Sequence, residues 1–182
     1  DFNQTDSILA LNIKMERTLK KLGWDKKEKA IAIMGPTGAG KSTITNAFLG
    51  ANLFGVKKNG LVCASTTDEC RNNENYVEIG HERFESETKI ANCRHLPSLD
   101  LHLFDLAGFF DTDNFQEIVN GFALRHIVNS VTSLSYVLIL QEADFRSARG
   151  GTMIETLNSF TRILNEDLDE AIKKSSIFFV LN

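Results

Sequence analysis

The stretch Gly35–Ser42, "GPTGAGKS", constrains this chain more than any other. It fits the pattern G-x-x-x-x-G-K-[S/T], and it lies between the apolar run "AIAIM" and the helix-like run "STITNAFLG". Glycines allow the backbone to turn so that successive N–H groups converge on phosphate oxygens, and a helix N-terminus adds a favourable dipole. A nucleoside-triphosphate cradle is therefore expected from Gly35, Pro36, Thr37, Gly38, Ala39, Gly40, Lys41, Ser42 and Thr43. Lys41 would bridge the β- and γ-phosphates, and Ser42 would ligate Mg²⁺ through its hydroxyl. The competing reading is a glycine-rich strand–helix turn with an exposed lysine.

The rest of the chain supplies a matching frame. Ile8, Leu11, Met15, Leu19 and Leu22 recur at helical spacing, followed by Gly23, which predicts an amphipathic N-terminal helix over 6–22. Strands are predicted at "AIAIM", "NYVEI", "LDLHLF", "SYVLIL" and "SSIFFVLN", and helices at "STITNAFLG", "DNFQEIVNGFALRHIV" and "TMIETLNSFTRIL". Phe115, Ile118, Val119 and Phe122 share one side of the second helix, and Ile154, Leu157, Phe160 and Leu164 line the third. The polar, glycine-bearing segment 51–75 has no clear period and reads as a long, mobile loop, a kind uncommon in ordered form unless functional. Such alternation indicates an α/β three-layer sandwich with a mostly parallel central sheet, whose ligands sit at the carboxyl ends of the strands. Two parts are expected: an N-terminal helical extension, 1–29, and a nucleotide-binding domain, 30–182. Both ends read as cut from a longer polypeptide, since the chain opens on Asp1 and stops just after an apolar strand.

Composition narrows the class. With 20 Lys and Arg against 24 Asp and Glu, evenly spread, the 182-residue chain carries no basic surface for nucleic acid. Cys63, Cys70 and Cys93 have neither disulfide-framework nor zinc spacing, and fit a reducing, cytoplasmic setting. "YVLIL" and "IFFVL" are much shorter than a membrane span, so membrane attachment is not encoded in this segment. The opening residues lack the charged-then-apolar pattern of a leader. His81, His95, His102 and His126 show no paired ligand spacing.

A second constellation stands at "DLAGFFD", where Asp105 ends an apolar strand and Gly108 follows three residues later. In nucleotide switches such an acid holds Mg²⁺ through a water and such a glycine offers its N–H to the γ-phosphate. The alternative for Asp105 is a strand-end acid capping a turn.

Three stretches carry a resemblance. "STITNAFLG" resembles the "ST-L-I-N-x-L-x-G" run of translation-factor-class GTPases, including septins, dynamin relatives and immunity-associated GTPases. "STTDEC", 65–70, is similar to the "S-V-T-x-x-C" first switch of immunity-associated GTPases, and "DLAGFFDTD" to their "D-T-P-G-L-F-D", with Leu106 and Ala107 in place of Thr and Pro. "ADFRSARGGTMIETLNSF" resembles their corresponding loop and helix more loosely. The resemblance covers about 31–182 and is closest to the septin and immunity-associated group. It implies a Ras-like fold, GTP and GDP as ligands, Mg²⁺ as cofactor, and hydrolysis of the β–γ bond. It also implies that Thr67 is the first-switch threonine, on Mg²⁺ and the γ-phosphate, with Thr66 as its rival and a solvated loop residue as the plain alternative. Asn182 would be the first letter of the guanine-reading [N/T]-K-x-D motif, or else an ordinary strand-end Asn.

Phe109 occupies the position of the glutamine that orients water in Ras-like enzymes. It can neither position nor polarise water, and instead covers the site or packs on the following helix through Phe115. Several of the resembling families dimerise across the nucleotide, which implies slow turnover alone and faster turnover in a homodimer. Arg146 and Arg149 are the candidates for a cation supplied in trans, against the alternative of solvated loop charges. Asp111 and Asp113 read as helix caps. Two other classes stay open: an ATPase or small-molecule kinase on the same cradle, and a nucleotide-stabilised scaffold with negligible turnover.

Overall fold

The fold described below is a computed structural model covering residues 9–10, 13, 17, 29–58, 60–79, 92–106, 108, 114–146, 150–164 and 176–182. In chain order the elements are β1 (Lys29–Met34), α1 (Lys41–Phe48), β2 (Leu53–Lys58), β3 (Leu61–Thr66), α2 (Asp68–Arg71), β4 (Asn92–Leu96), β5 (Leu101–Asp105), α3 (Asn114–Ser130), β6 (Ser133–Leu140), α4 (Glu142–Arg146), α5 (Gly151–Leu164) and β7 (Ser176–Leu181). Leu9, Ala10, Ile13 and Arg17 are helical, inside the span predicted for the N-terminal helix. The apolar stripe predicted for that helix lies outside the described residues.

Five strands form one sheet in the order β4-β5-β1-β6-β7. β1 runs parallel to β5 and β6, β7 runs parallel to β6, and only β4 is antiparallel to its neighbour. Strands buried on both faces read as unbroken apolar runs, which explains "AIAIM" and "YVLIL". Alternate residues serve opposite faces. Ala30, Ala32, Met34, Tyr136, Leu138 and Leu140 meet Ala123, Leu124 and Ile127 of α3 and Phe160 of α5. Ile33, Val137 and Ile139 meet Ala39 and Ile44 on the other side. Helices therefore cover both faces of an α/β sheet. Each fully buried large side chain, such as Phe160 or Leu138, contributes about 1.5–3 kcal/mol through its area alone. Phe160 also meets Tyr136 edge to face, with ring centres 5.6 Å apart.

The strand order reverses at β1: the chain passes first to β5 on one side, then to β6 on the other. The loop after β1 thus opens at a topological switch point, where sheets of this kind bind ligands.

Three expectations are corrected. The segment 51–75 is not a structureless loop, because β2 and β3 pair antiparallel as a separate two-stranded sheet and α2 follows. The register pairs Lys58 with Leu61, so the dipeptide between them is Asn-Gly, the strongest short hairpin signal. "NYVEI" forms no strand; the C=O of Tyr76 and both the N–H and C=O of Val77 are bonded by side chains instead. The edge position belongs to β4, whose "NCRHL" has too few apolar residues to announce itself. On the helices one residue of each predicted face turns outward, while Leu157 and Leu164 pack on the core with Phe160 and the side chains of Phe115, Ile118 and Val119 lie outside the described residues. α3 buries Ala123, Leu124 and Ile127 while Phe122 is exposed, and α5 buries Phe160 but leaves Ile154 exposed.

Candidate functional site

The loop after β1 is shaped by contacts that only glycine permits at its start. Gly35 has φ 150°, and a Cβ there would fall 2.5 Å from the carbonyl oxygen of Ile139 in β6. The cradle is therefore seated directly on the neighbouring strand. Gly40 begins α1 with φ 89°, no side chain caps that helix, and its first turn holds no acid. The helix end is left suited to an anion. Lys41, only 7% exposed, donates from Nζ to the carbonyls of Pro36 at 2.8 Å and Gly35 at 3.2 Å. Its ammonium is thus held over the loop. Ala39 N–H donates to Pro36 O at 3.2 Å and closes the turn.

At the end of β5, Asp105 is fully buried. The Ser42 hydroxyl donates to its Oδ2 at 2.8 Å, across 63 residues of sequence. Its Oδ1 is buried and makes no hydrogen bond among the described residues. Burial pushes the carboxyl above its usual range; the Ser42 hydrogen bond, the charges of Lys41 and Arg94, and the Asn92 amide oppose that rise. A buried carboxylate oxygen without a partner, beside a serine hydroxyl and a lysine, fits a hard divalent cation. Ser42 and Asp105 would hold Mg²⁺. Among the described residues no group of three or more His, Cys, Asp or Glu could hold a metal, so the other ligands would be phosphate oxygens and water, as is usual for this ion.

Gly108 is buried against the loop. A Cβ on it would come within 2.1 Å of Thr37 Oγ1 and 2.7 Å of Thr37 N and Cα. Leu106 N–H donates to Ile33 O at 3.2 Å, which keeps the chain beside β1 after β5 ends. Asn182 arrives from the far edge: its Nδ2 donates to Ala39 O at 3.0 Å, while its backbone exchanges bonds with Leu140 O at 2.9 Å and Glu142 N at 2.8 Å. Thus Lys41, Ser42, Asp105, Gly108 and Asn182 converge on one loop. Thr43 is half-buried in the first turn of α1.

The remaining predicted residues are not gathered there. Thr67 stands at the start of α2, yet its hydroxyl caps nothing and is buried with no hydrogen-bond partner among the described residues; its N–H donates to Asn52 O at 3.3 Å. Thr66 is buried in β3, opposite Leu53. Arg146 is exposed and pairs with Glu142 one turn earlier in α4. Arg149, Phe109, Asp111, Asp113 and His81 lie outside the described residues.

Sequence reasoning missed a polar group behind the loop. Asn46, in the middle of α1, is fully buried, and its carboxamide takes both the N–H (2.9 Å) and the C=O (2.7 Å) of Val77. Arg94 donates to Tyr76 O from Nε at 3.2 Å and Nη2 at 3.1 Å. The signal was available: an Asn inside a short helix sits where that residue type gains nothing locally, so it is expected to bond elsewhere. A scan against protein-family models finds no match to this chain, and a search of curated proteins finds none either.

Proposed function

We propose that this chain is a Ras-like guanine-nucleotide switch domain that binds GTP and GDP with Mg²⁺ and hydrolyses the β–γ phosphoanhydride. The observation that carries the reading is the Ser42–Asp105 hydrogen bond beside Lys41, which joins the cradle to the strand-end acid. Support for the Ras-like topology comes from the parallel strands flanked by one antiparallel edge strand.

Each residue then has a task. The amides of Gly38–Ser42 and the Lys41 ammonium bind phosphate oxygens; Lys41 exchanges its two carbonyl partners for them. Ser42 and Asp105 hold the cation, which supplies neutralisation of charge on the β- and γ-oxygens. Gly108 brings the chain after β5 against Thr37, within reach of a terminal phosphate. Asn182 braces Ala39 from the side where the base would lie, which favours guanine by the resemblance to [N/T]-K-x-D. Phosphoryl transfer is catalysed mainly by positioning and charge, so these groups support turnover, slow in the isolated chain. A second copy raises it by placing a cation on the transferring group, with Arg146 and Arg149 as candidates and Thr67 moving in with the triphosphate.

Equilibrium binding of GTP and ATP, followed by single-turnover hydrolysis, tests this. GTP is expected to bind more tightly and to be cleaved. Preference for ATP would instead assign an ATPase or kinase, and stable binding without cleavage a scaffold. Turnover per molecule that stayed flat over a wide range of protein concentration would remove the dimer from the scheme.

A further inference from the structure

The tie between α1 and the chain after α2 does more than fill the interior. Asn46 holds both ends of the segment 51–77. Its backbone C=O accepts the Ala51 N–H at 2.9 Å, and its side chain pairs with both polar groups of the Val77 backbone. Between those two points lie the β2–β3 hairpin, Thr67 and α2. That hairpin is a sheet of its own and shares no ladder with the main one. Asn46 ties both ends of that segment to α1, while Ser65, Thr66 and Cys70 within it are buried. Both carboxamide bonds are buried, where leaving a polar group unmatched is costly, so the pairing is strongly specified.

The position of Asn46 along α1 matters as much as its bonds. Ser42 lies one turn earlier on the same helix, about 6 Å along the axis at 1.5 Å per residue. A helix transmits a shift at its first turn to its next one nearly rigidly. Arg94 adds a second link, since it grips Tyr76 O from β4, the strand paired with β5 and its terminal Asp105. The cradle and the acid are thus both connected to residues 76–77, just beyond the segment that carries Thr67.

We propose that Asn46 is a positioning residue that couples the phosphate loop to the segment 51–77, so that preference for a triphosphate over a diphosphate depends on it. This rests on the nucleotide reading above. Asn46 touches no ligand; it acts through the placement of Thr67.

The test measures affinities of the full chain for GDP and for a non-hydrolysable GTP analogue, in the parent protein, Asn46→Ala and Val77→Ala. In Asn46→Ala the analogue should weaken about tenfold or more, a normal size for coupling between sites, while GDP stays within about twofold. Val77→Ala keeps both backbone bonds and should leave the ratio unchanged, even though it removes buried methyl groups. Equal weakening of both nucleotides in Asn46→Ala, or no change in either, overturns the coupling. Should Asn46→Ala not fold, amide exchange in the parent chain decides: Val77 should exchange slowly with either nucleotide, and 67–71 slowly only with the triphosphate. Fast exchange at Val77, or 67–71 indifferent to the γ-phosphate, overturns it. Failure of the parent chain to bind either nucleotide overturns the nucleotide reading itself.

Discussion

The two halves of the candidate site are built in different ways. Around Lys41 and Asp105, positioning contacts run to strands of the main sheet or to their ends: Gly35 rests on Ile139, Leu106 bonds to Ile33, Ser42 bonds to Asp105, and Asn182 bonds to Ala39 and Leu140. The segment carrying Thr67 lies outside that sheet: its two strands pair with each other, and Asn46 and Arg94 hold its far end. Residues held by parallel strands cannot move without breaking a buried ladder. Residues held at the base of a separate hairpin can move as a group while the ladder stays intact. Local openings concentrate where few buried contacts cross, so the second half is the one suited to respond to a ligand.

Lys41→Ala is the strongest way to break the fixed half. On the proposed reading it removes the charge-assisted hydrogen bonds by which the ammonium would bridge two phosphates, worth about 1.5–3 kcal/mol each, so nucleotide affinity should fall by about 10² or more. Titration calorimetry reads this, and unchanged affinity would refute the cradle altogether. Asp105→Asn comes next. Replacing a metal-holding carboxylate should weaken the Mg²⁺ dependence of binding by about 10–100-fold.

The same substitution should stabilise the ligand-free protein. Burial raises the Asp105 carboxyl in the folded state, so the folded chain holds that proton more tightly than the unfolded one. Stability from this group is full below the unfolded value and declines as pH rises through the folded one. An Asn can still accept from Ser42 and never ionises. The Tm difference between variant and parent should therefore widen from acid to neutral pH, and a constant difference would contradict the assigned burial effect.

Gly108→Ala tests a close contact inside the fixed half. The added methyl cannot fit at 2.1 Å from Thr37 Oγ1, so the chain after Asp105 must shift, at about 1–3 kcal/mol in denaturant-derived stability. Full stability would mean the contact with Thr37 is not rigid. The smallest effect belongs to Arg146→Ala, which loses an exposed i,i+4 pair worth about 0.3–0.5 kcal/mol. If Arg146 acts on a second copy, the same variant abolishes the rise of specific activity with protein concentration while barely moving Tm.

The fixed half was legible in the sequence because its geometry is written in consecutive residues. "GPTGAGKS" specifies a turn, a helix start and a cation within eight positions, and the Asp105–Gly108 spacing does the same at the end of β5. The central strands β1 and β6 were equally plain, since burial on both faces leaves mostly apolar residues. The responsive half was not. Its hairpin is announced by Asn59-Gly60 alone, amid residues of mixed polarity, and β4 alternates Cys, Arg and His rather than aliphatic residues. The Asn46–Val77 pairing spans 31 residues and involves a backbone with no side-chain signature. Nothing local could reveal its partner, although a buried-side Asn within a helix warned that one existed.

One contact described above bears on time rather than place. Lys41 Nζ grips the carbonyls of Gly35 and Pro36, so the curvature of the cradle is maintained by bonds within the chain. Its ordering entropy is lost once, during folding, and is not demanded again at each encounter with a phosphate. Docking of a phosphate there would ask only that Lys41 trade the two carbonyls for phosphate oxygens, on a loop that is already folded.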